Sequence, residues 1–302
     1  MLYPQFLDLV AYKHRTAAHT SSMNRVKSTM VGDHHSPFRG QGLEFDSVRP
    51  YVPGDDIRNI DWRVTARAGT PHLKIFREER ERHRLLCIDM NASMRFGTRK
   101  TFKSVQAAHA AALLGWAGLA QHDCVSGCLF GDVPQGIQLF PPKRTSSSFA
   151  SLLKTLSEPT TTYHHVAMEE ALEQINRAAR TGSLIYLISD FMEFKRHPHL
   201  EATLSSLNQR CDMIFIAVND PADQSLPSIG TLAFSQDQDR VVIDTDNPSG
   251  RKAYADRWDQ NRQALYHLTA RYKVPLIELS TESDIKRDLL LGLKMIAYRK
   301  YS

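Results

Sequence analysis

Five oxygen-bearing residues carry the chemistry this sequence could do. Asp89, Asn91 and Ser93 stand at alternate positions of one short stretch, Asp190 follows an apolar run, and Thr162 lies between them in the chain. Residues one, three and five of such a loop can turn their oxygens toward one point. A hard divalent cation takes about six oxygen ligands, usually including one or two carboxylates. The set therefore suits Mg²⁺ or Mn²⁺ and lacks the sulfur and nitrogen ligands of zinc. A second reading has Asp89 and Asp190 capping helix N-termini, where the helix dipole stabilises a carboxylate. The adjacent pairs His34-His35 and His164-His165 do not converge as tetrahedral zinc ligands must. Neither a Gly-x-x-x-x-Gly-Lys-Ser/Thr phosphate loop nor a Gly-x-Ser-x-Gly elbow occurs.

Strands and helices in alternation must position these residues. Residues 85–89 form an apolar run ending in Asp89, the pattern of a buried parallel strand. Residues 101–121 place Phe102, Val105, His109, Ala112, Leu113, Trp116 and Leu119 on one face, which predicts an amphipathic helix. Further strands are predicted at 125–130, 184–189, 213–218 and 274–279. Helices are predicted at 147–157, 166–180, 200–208, 252–272 and from about 282 onward. This alternation implies an α/β fold: a mostly parallel central sheet with helices on both faces. Ligands of such sheets bind beyond the carboxyl ends of the strands, at the topological switch point. Asp89 and Asp190 fall at two such strand ends, and Thr162 at a helix entrance.

The chain has 302 residues, 42% hydrophobic and 24% charged, with a formal charge of +5. Residues 1–84 hold 14 Lys/Arg against 10 Asp/Glu, so most of the excess lies there. The texture changes near Arg84, which divides the chain into an N-terminal segment, 1–84, and a strand–helix domain, 85–302. So mild an excess, with no recognisable module, argues against nucleic acid as a partner. No run reaches the ~18 apolar residues of a membrane span, and Asp8 interrupts what would be a signal peptide's apolar core. The expected location is the cytoplasm, with membrane contact limited to peripheral association. Four cysteines are too few for a disulfide framework, so all four are expected as free thiols, with Cys87 buried in the first strand.

The string Pro53-Gly54-Asp55-Asp56 starts with a tight turn, and Arg58 and Asp61 follow within a few positions. Asp55, Asp56 and Asp61 could serve as metal ligands or acid–base groups. Alternatively they pair with Arg49, Arg58 and Arg67 and fix a compact subdomain, with Tyr51 and Trp62 as packing residues. No nucleophile or base lies nearby in sequence, which favours the structural role.

Asp89-x-Asn91-x-Ser93, Thr162 and Ser189-Asp190 resemble the metal-ion-dependent adhesion site of von Willebrand factor A domains, with Asn91 where that pattern usually has serine. Upstream, Phe38-Arg-Gly-Gln-Gly-Leu-Glu44-Phe45, the string Arg49-Pro-Tyr51-Val-Pro53-Gly54-Asp55-Asp56-Ile-Arg58-Asn-Ile60-Asp61-Trp62, and Ala66-Arg67 resemble the signature of the "domain of unknown function 58" family. The resemblance runs from about Gly32 to the end and is most specific in the Arg49–Trp62 string. It implies a von Willebrand A-like domain that often accompanies MoxR-type AAA+ ATPases. It also implies Mg²⁺ or Mn²⁺ at Asp89, Asn91, Ser93, Thr162 and Asp190, with one coordination position left for a partner's Asp or Glu. On that reading the protein is a non-enzymatic adaptor. Two rivals remain: a Mg²⁺-dependent phosphohydrolase using Ser93, Thr162 or His164, and a basic nucleic-acid binder. Without an ion, a lysine or arginine is expected among the carboxylates to offset their repulsion.

Overall fold

The computed structural model describes residues 3–17, 43–53, 55–78, 82–159, 163–192, 198–236 and 239–299. They fall into two compact units, one made of the described residues between 43 and 78 and the other of the remainder.

The larger unit is built on a six-stranded sheet. Its strands are β3 (His83–Met90), β4 (Cys124–Gly131), β5 (Ile137–Lys143), β6 (Leu184–Ser189), β7 (Asp212–Asn219) and β10 (Leu276–Ser280). Their spatial order is β10-β7-β6-β3-β4-β5, parallel throughout except for β5, which runs antiparallel to β4 at one edge. β3, β6 and β7 are buried along nearly their whole length, as strands covered on both faces must be. One face packs α3 (Lys103–Ala120), α4 (Ser146–Ser157), α9 (Ile285–Arg299) and α1 (Phe6–Ala17) around Leu86, Ile88, Leu114 and Ile214. The other face packs α5 (Met168–Ala178), α6 (Pro198–Arg210) and α8 (Pro248–Arg271) around Leu85, Cys87, Leu187 and Phe215. A one-turn helix, α7 (Pro221–Gln224), follows β7, and a hairpin of β8 (Thr231–Gln236) and β9 (Asp239–Asp244) lies between α7 and α8.

This is the expected α/β architecture, a mostly parallel central sheet with helices on both faces. In the larger unit, the elements not expected from sequence are α1, β5, the one-turn α7 and the β8–β9 hairpin. Helix α1 departs from the expected 1–84 segment: Leu9 and Tyr12 bury against α3, and Trp116 Nε1 donates to Leu9 O at 2.9 Å. All four cysteines are free, and Cys87 is buried.

At the amino edge of the sheet, Arg84 is buried and donates through Nε to Asp123 Oδ2 at 2.7 Å and through Nη2 to Gln121 Oε1 at 2.6 Å. Removing one partner of a buried ion pair leaves the other charge uncompensated, at about 3–5 kcal/mol. Arg84→Ala is therefore expected to lose that much in urea denaturation. Arg49→Ala, in a solvent-accessible pair of the smaller unit, is expected to lose far less, because water and salt screen that pair.

The smaller unit pairs β1 (Leu43–Pro50) with β2 (His72–Glu78) antiparallel, with α2 (Trp62–Ala68) between them in the chain. Its acidic residues are occupied in holding the backbone. Asp55 takes both amino groups of Arg49, at 2.6 and 2.8 Å, and accepts from Val52 N at 2.9 Å. Asp56 accepts from Arg58 N at 3.0 Å, capping the turn Ile57–Asn59. Asp61 caps α2 through the N–H groups of Arg63 and Val64, and its ion-pair partner is Lys74 rather than Arg67. Hydrogen bonds hold Asp55 and Asp61 below the usual carboxylate range, from Arg49 foremost in the first and from Val64 N–H in the second. Trp62 corrects the expectation: as the first residue of α2 it is 69% exposed, and Tyr51 is half-buried. Gly54 lies outside the described residues.

Candidate functional site

The chain leaves β3 toward β4 on one side and returns from β5 to β6 on the other. The switch point therefore lies between the carboxyl ends of β3 and β6. Asp89 and Asp190 are buried there, one from each strand end. Asp89 Oδ1 accepts from Asn91 N at 2.9 Å, and its Oδ2 accepts from Ser189 Oγ at 2.5 Å. Burial and then the neighbouring Asp190 charge push the Asp89 carboxyl up to about 7, against the pull of these hydrogen bonds. After Asp190 the chain turns sharply. Phe191 takes φ +54° and stacks on Phe215, while Met192 N–H donates to Asp190 Oδ1 at 3.0 Å.

Asn91 does not fill the space between the carboxylates. Its Oδ1 accepts from Val166 N at 3.0 Å and its amide donates to Val166 O at 3.1 Å, so the side chain clamps the approach to α5. Ser93 is half-buried in the short turn Ala92–Arg95 that follows. Thr162 lies outside the described residues. The structure thus brings Asp89 and Asp190 together, sets Ser93 two residues beyond Asn91 on the same loop, and turns Asn91 to a positioning task.

The loop from β3 to α3 is fastened along the carboxyl edge. Thr98 holds Asp220 at the end of β7, through Oγ1 at 2.6 Å and its N–H at 3.0 Å, and Thr281 Oγ1 donates to the same carboxylate at 2.5 Å. Burial favours the neutral form of Asp220, but these bonds outweigh it and hold the carboxyl below its ordinary range. Beyond the loop, Lys103 opens α3. The residue is 1% exposed, and its ammonium meets Asp190 Oδ2 at 2.7 Å and Asp223 Oδ2 at 3.1 Å, with the Phe96 ring 5.6 Å away. Burial alone would pull this lysine down, yet Asp190 and then Asp223 hold it above its usual range. On the rim, Asp132 accepts from His164 N at 2.7 Å and pairs with Arg95, whose guanidinium lies over the exposed Tyr163 ring at 5.4 Å.

A family model described as "Protein of unknown function DUF58" matches residues 47–264. The chain belongs to the DUF58 family. An uncharacterized Mycobacterium tuberculosis protein, Rv1480, is 27% identical over 272 residues, covering 88% of this chain and 83% of that one. The fold is similar to BatB from Bacteroides thetaiotaomicron, at 14% identity and TM-score 0.45 over 72% of this chain and 99% of that one. It is also similar to a von Willebrand factor type A protein from Catenulispora acidiphila, at 12% identity and TM-score 0.39 over 73% and 42%.

In this DUF58 protein the residues that sequence reading left unnamed are Lys103, Asp132, Asp220 and Asp223. Two had a signal. Asp132 and Asp220 each follow directly on a strand, as Asp190 does. Lys103 stands at the positive end of a helix dipole, where a cation is disfavoured unless a carboxylate meets it. Among the described residues no three His, Cys, Asp or Glu side chains form a metal-holding group of their own, which leaves hydroxyl and amide oxygens to complete any set. No helix among them is long and apolar enough to cross a membrane.

Proposed function

We propose that this DUF58 chain is a non-enzymatic interaction module whose site at the β3/β6 switch point takes Mg²⁺ or Mn²⁺ and, through it, an acidic group of a protein partner. The observation that carries the reading is a charge imbalance. Asp190 and Asp223 share the ammonium of Lys103, while Asp89, buried beside Asp190, is held only by the Asn91 N–H and the Ser189 hydroxyl. Buried charges are tolerated when paired, and at this edge buried carboxylates outnumber the one ammonium that meets them, an excess that a cation would offset. The donors present fit: carboxylate and hydroxyl oxygens suit a hard cation. Asp89 and Ser93 would hold it, with Asp190 ligating directly or through water and Thr162 as the family pattern implies. When bound, the ion supplies a coordination position that a partner's Asp or Glu completes. The chain's own residues prepare this. Ser189 and the Asn91 N–H fix the Asp89 carboxylate, and Asn91 pins Val166 so that the loop keeps its course. At the rim, the Arg95–Asp132 pair lies beside the exposed Tyr163 ring.

The partner that the resemblance implies is a MoxR-type AAA+ ATPase, for which this chain is an adaptor. A pull-down from native cytoplasm tests it. The ATPase is expected to be retained in Mg²⁺ and lost with chelator or in Asp89→Ala. Retention indifferent to both changes would contradict the reading, as would Mg²⁺-dependent turnover of phosphate esters that Asp89→Ala abolishes.

A further inference from the structure

The Lys103 ammonium is an unusual feature to find beneath a cation site. It is buried, it opens a helix at the unfavourable end of the dipole, and it touches a carboxylate from each of two neighbouring strand ends, Asp190 beyond β6 and Asp223 in α7 beyond β7. Both oxygens of Asp190 are engaged, Oδ2 by Lys103 and Oδ1 by Met192 N–H. An ion that uses Asp190 directly must therefore share that carboxylate with the lysine. Asp223 offers the ammonium a second partner, at 3.1 Å through Oδ2 and 3.2 Å through Oδ1. The backbone N–H of Lys103 also closes the loop from β3 by donating to Phe96 O at 2.9 Å. A change at the ammonium is thereby joined to the segment that carries Ser93.

We propose that Lys103 is the protein's own resident cation: it holds the carboxyl edge together without metal and competes with the divalent ion for Asp190. This rests on the cation reading above and adds a consequence to it. The fold stands without the ion, and the site binds the ion more weakly than the same carboxylates would without the lysine. Such a site loads and empties with the free ion concentration, where a permanently occupied one would be a structural metal.

Two variants test the competition. Lys103→Met removes the ammonium and leaves Asp190 and Asp223 without their counter-charge. Lys103→Met/Asp223→Asn removes one charge of each sign and so keeps the net charge of the wild type. Calorimetric titration with Mg²⁺ is expected to show binding at least tenfold tighter in the double variant than in wild type. Thermal melts in chelator are expected to show the single variant far below wild type, with Mg²⁺ restoring much of the loss, and the double variant much closer to wild type. The wild-type melt should rise with Mg²⁺ by less than that of the single variant. If wild type binds Mg²⁺ and the double variant binds it no more tightly, the competition is wrong while the cation reading stands. If no variant binds Mg²⁺, the cation reading fails and the competition with it. A double variant that melts as low as the single one in chelator would overturn the role of Lys103 as counter-charge, whatever the ion does.

Discussion

Gly131→Ala is expected to destabilise the larger unit by about 3–5 kcal/mol and to abolish ion binding. Gly131 ends β4 with φ +110°, a conformation open to glycine and strained for any other residue. Space is the second obstacle. A Cβ there would stand 2.4 Å from Asn91 N and 2.7 Å from Met90 C, both backbone atoms that no side-chain rotation moves aside. Asn91 N is also the group that donates to Asp89 Oδ1. Relieving the overlap must shift the loop that carries Asn91 and Ser93 and break that bond. Urea denaturation and Mg²⁺ calorimetry read the two effects. A variant with wild-type stability and affinity would mean that the loop geometry does not control the site.

Asp89→Asn is expected to change how stability depends on pH. The folded Asp89 carboxyl titrates at about 7, against an ordinary 3.8. Between these values the folded chain keeps a proton that the unfolded chain has lost. Its contribution to stability is therefore fully present below about pH 4, declines as pH rises, and levels off above about 7. The slope is about 1.4 kcal/mol per pH unit at most. Wild type in chelator should lose about 2–3 kcal/mol relative to Asp89→Asn between pH 5 and pH 7. Excess Mg²⁺ should remove that relative loss in wild type and leave Asp89→Asn unchanged. Parallel pH profiles for the two proteins in chelator would show that Asp89 carries no such strain. His83, buried between Ser126 and Ser183, acts in the opposite sense: burial lowers it from 6.5, so its contribution is lost as pH falls. Comparing the two proteins at each pH cancels that term.

Which parts of this molecule could be read from sequence follows from where the signal is local. β3, β6 and β7 are continuous apolar runs, and α3 repeats its apolar residues at helical spacing, so each announces itself within its own residues. β5 did not, because it is an antiparallel edge strand whose burial alternates and which contains Pro141-Pro142. α1 is short, and its assignment to the sheet unit depends on Trp116 and His109, about a hundred residues away in the chain. The site divides in the same way. Asp89 and Asp190 were legible because each closes an apolar strand. Lys103 was expected only as a lysine or arginine of unspecified position, because its partner Asp223 lies 120 residues on. A lysine in the first turn of a helix otherwise reads as a solvated charge. Asn91 is expected from its spacing to face the ion with Asp89 and Ser93, whereas its side chain holds Val166, a partner that follows from the crossing of two loops and that no local pattern encodes.

The central event is the binding of one divalent ion at Asp89. Isothermal titration of Mg²⁺ into the whole wild-type chain and into Asp89→Ala measures it directly. Saturable binding at one site is expected in the wild type and none in Asp89→Ala. The absence of binding in the wild type, or equal binding in both proteins, would contradict it.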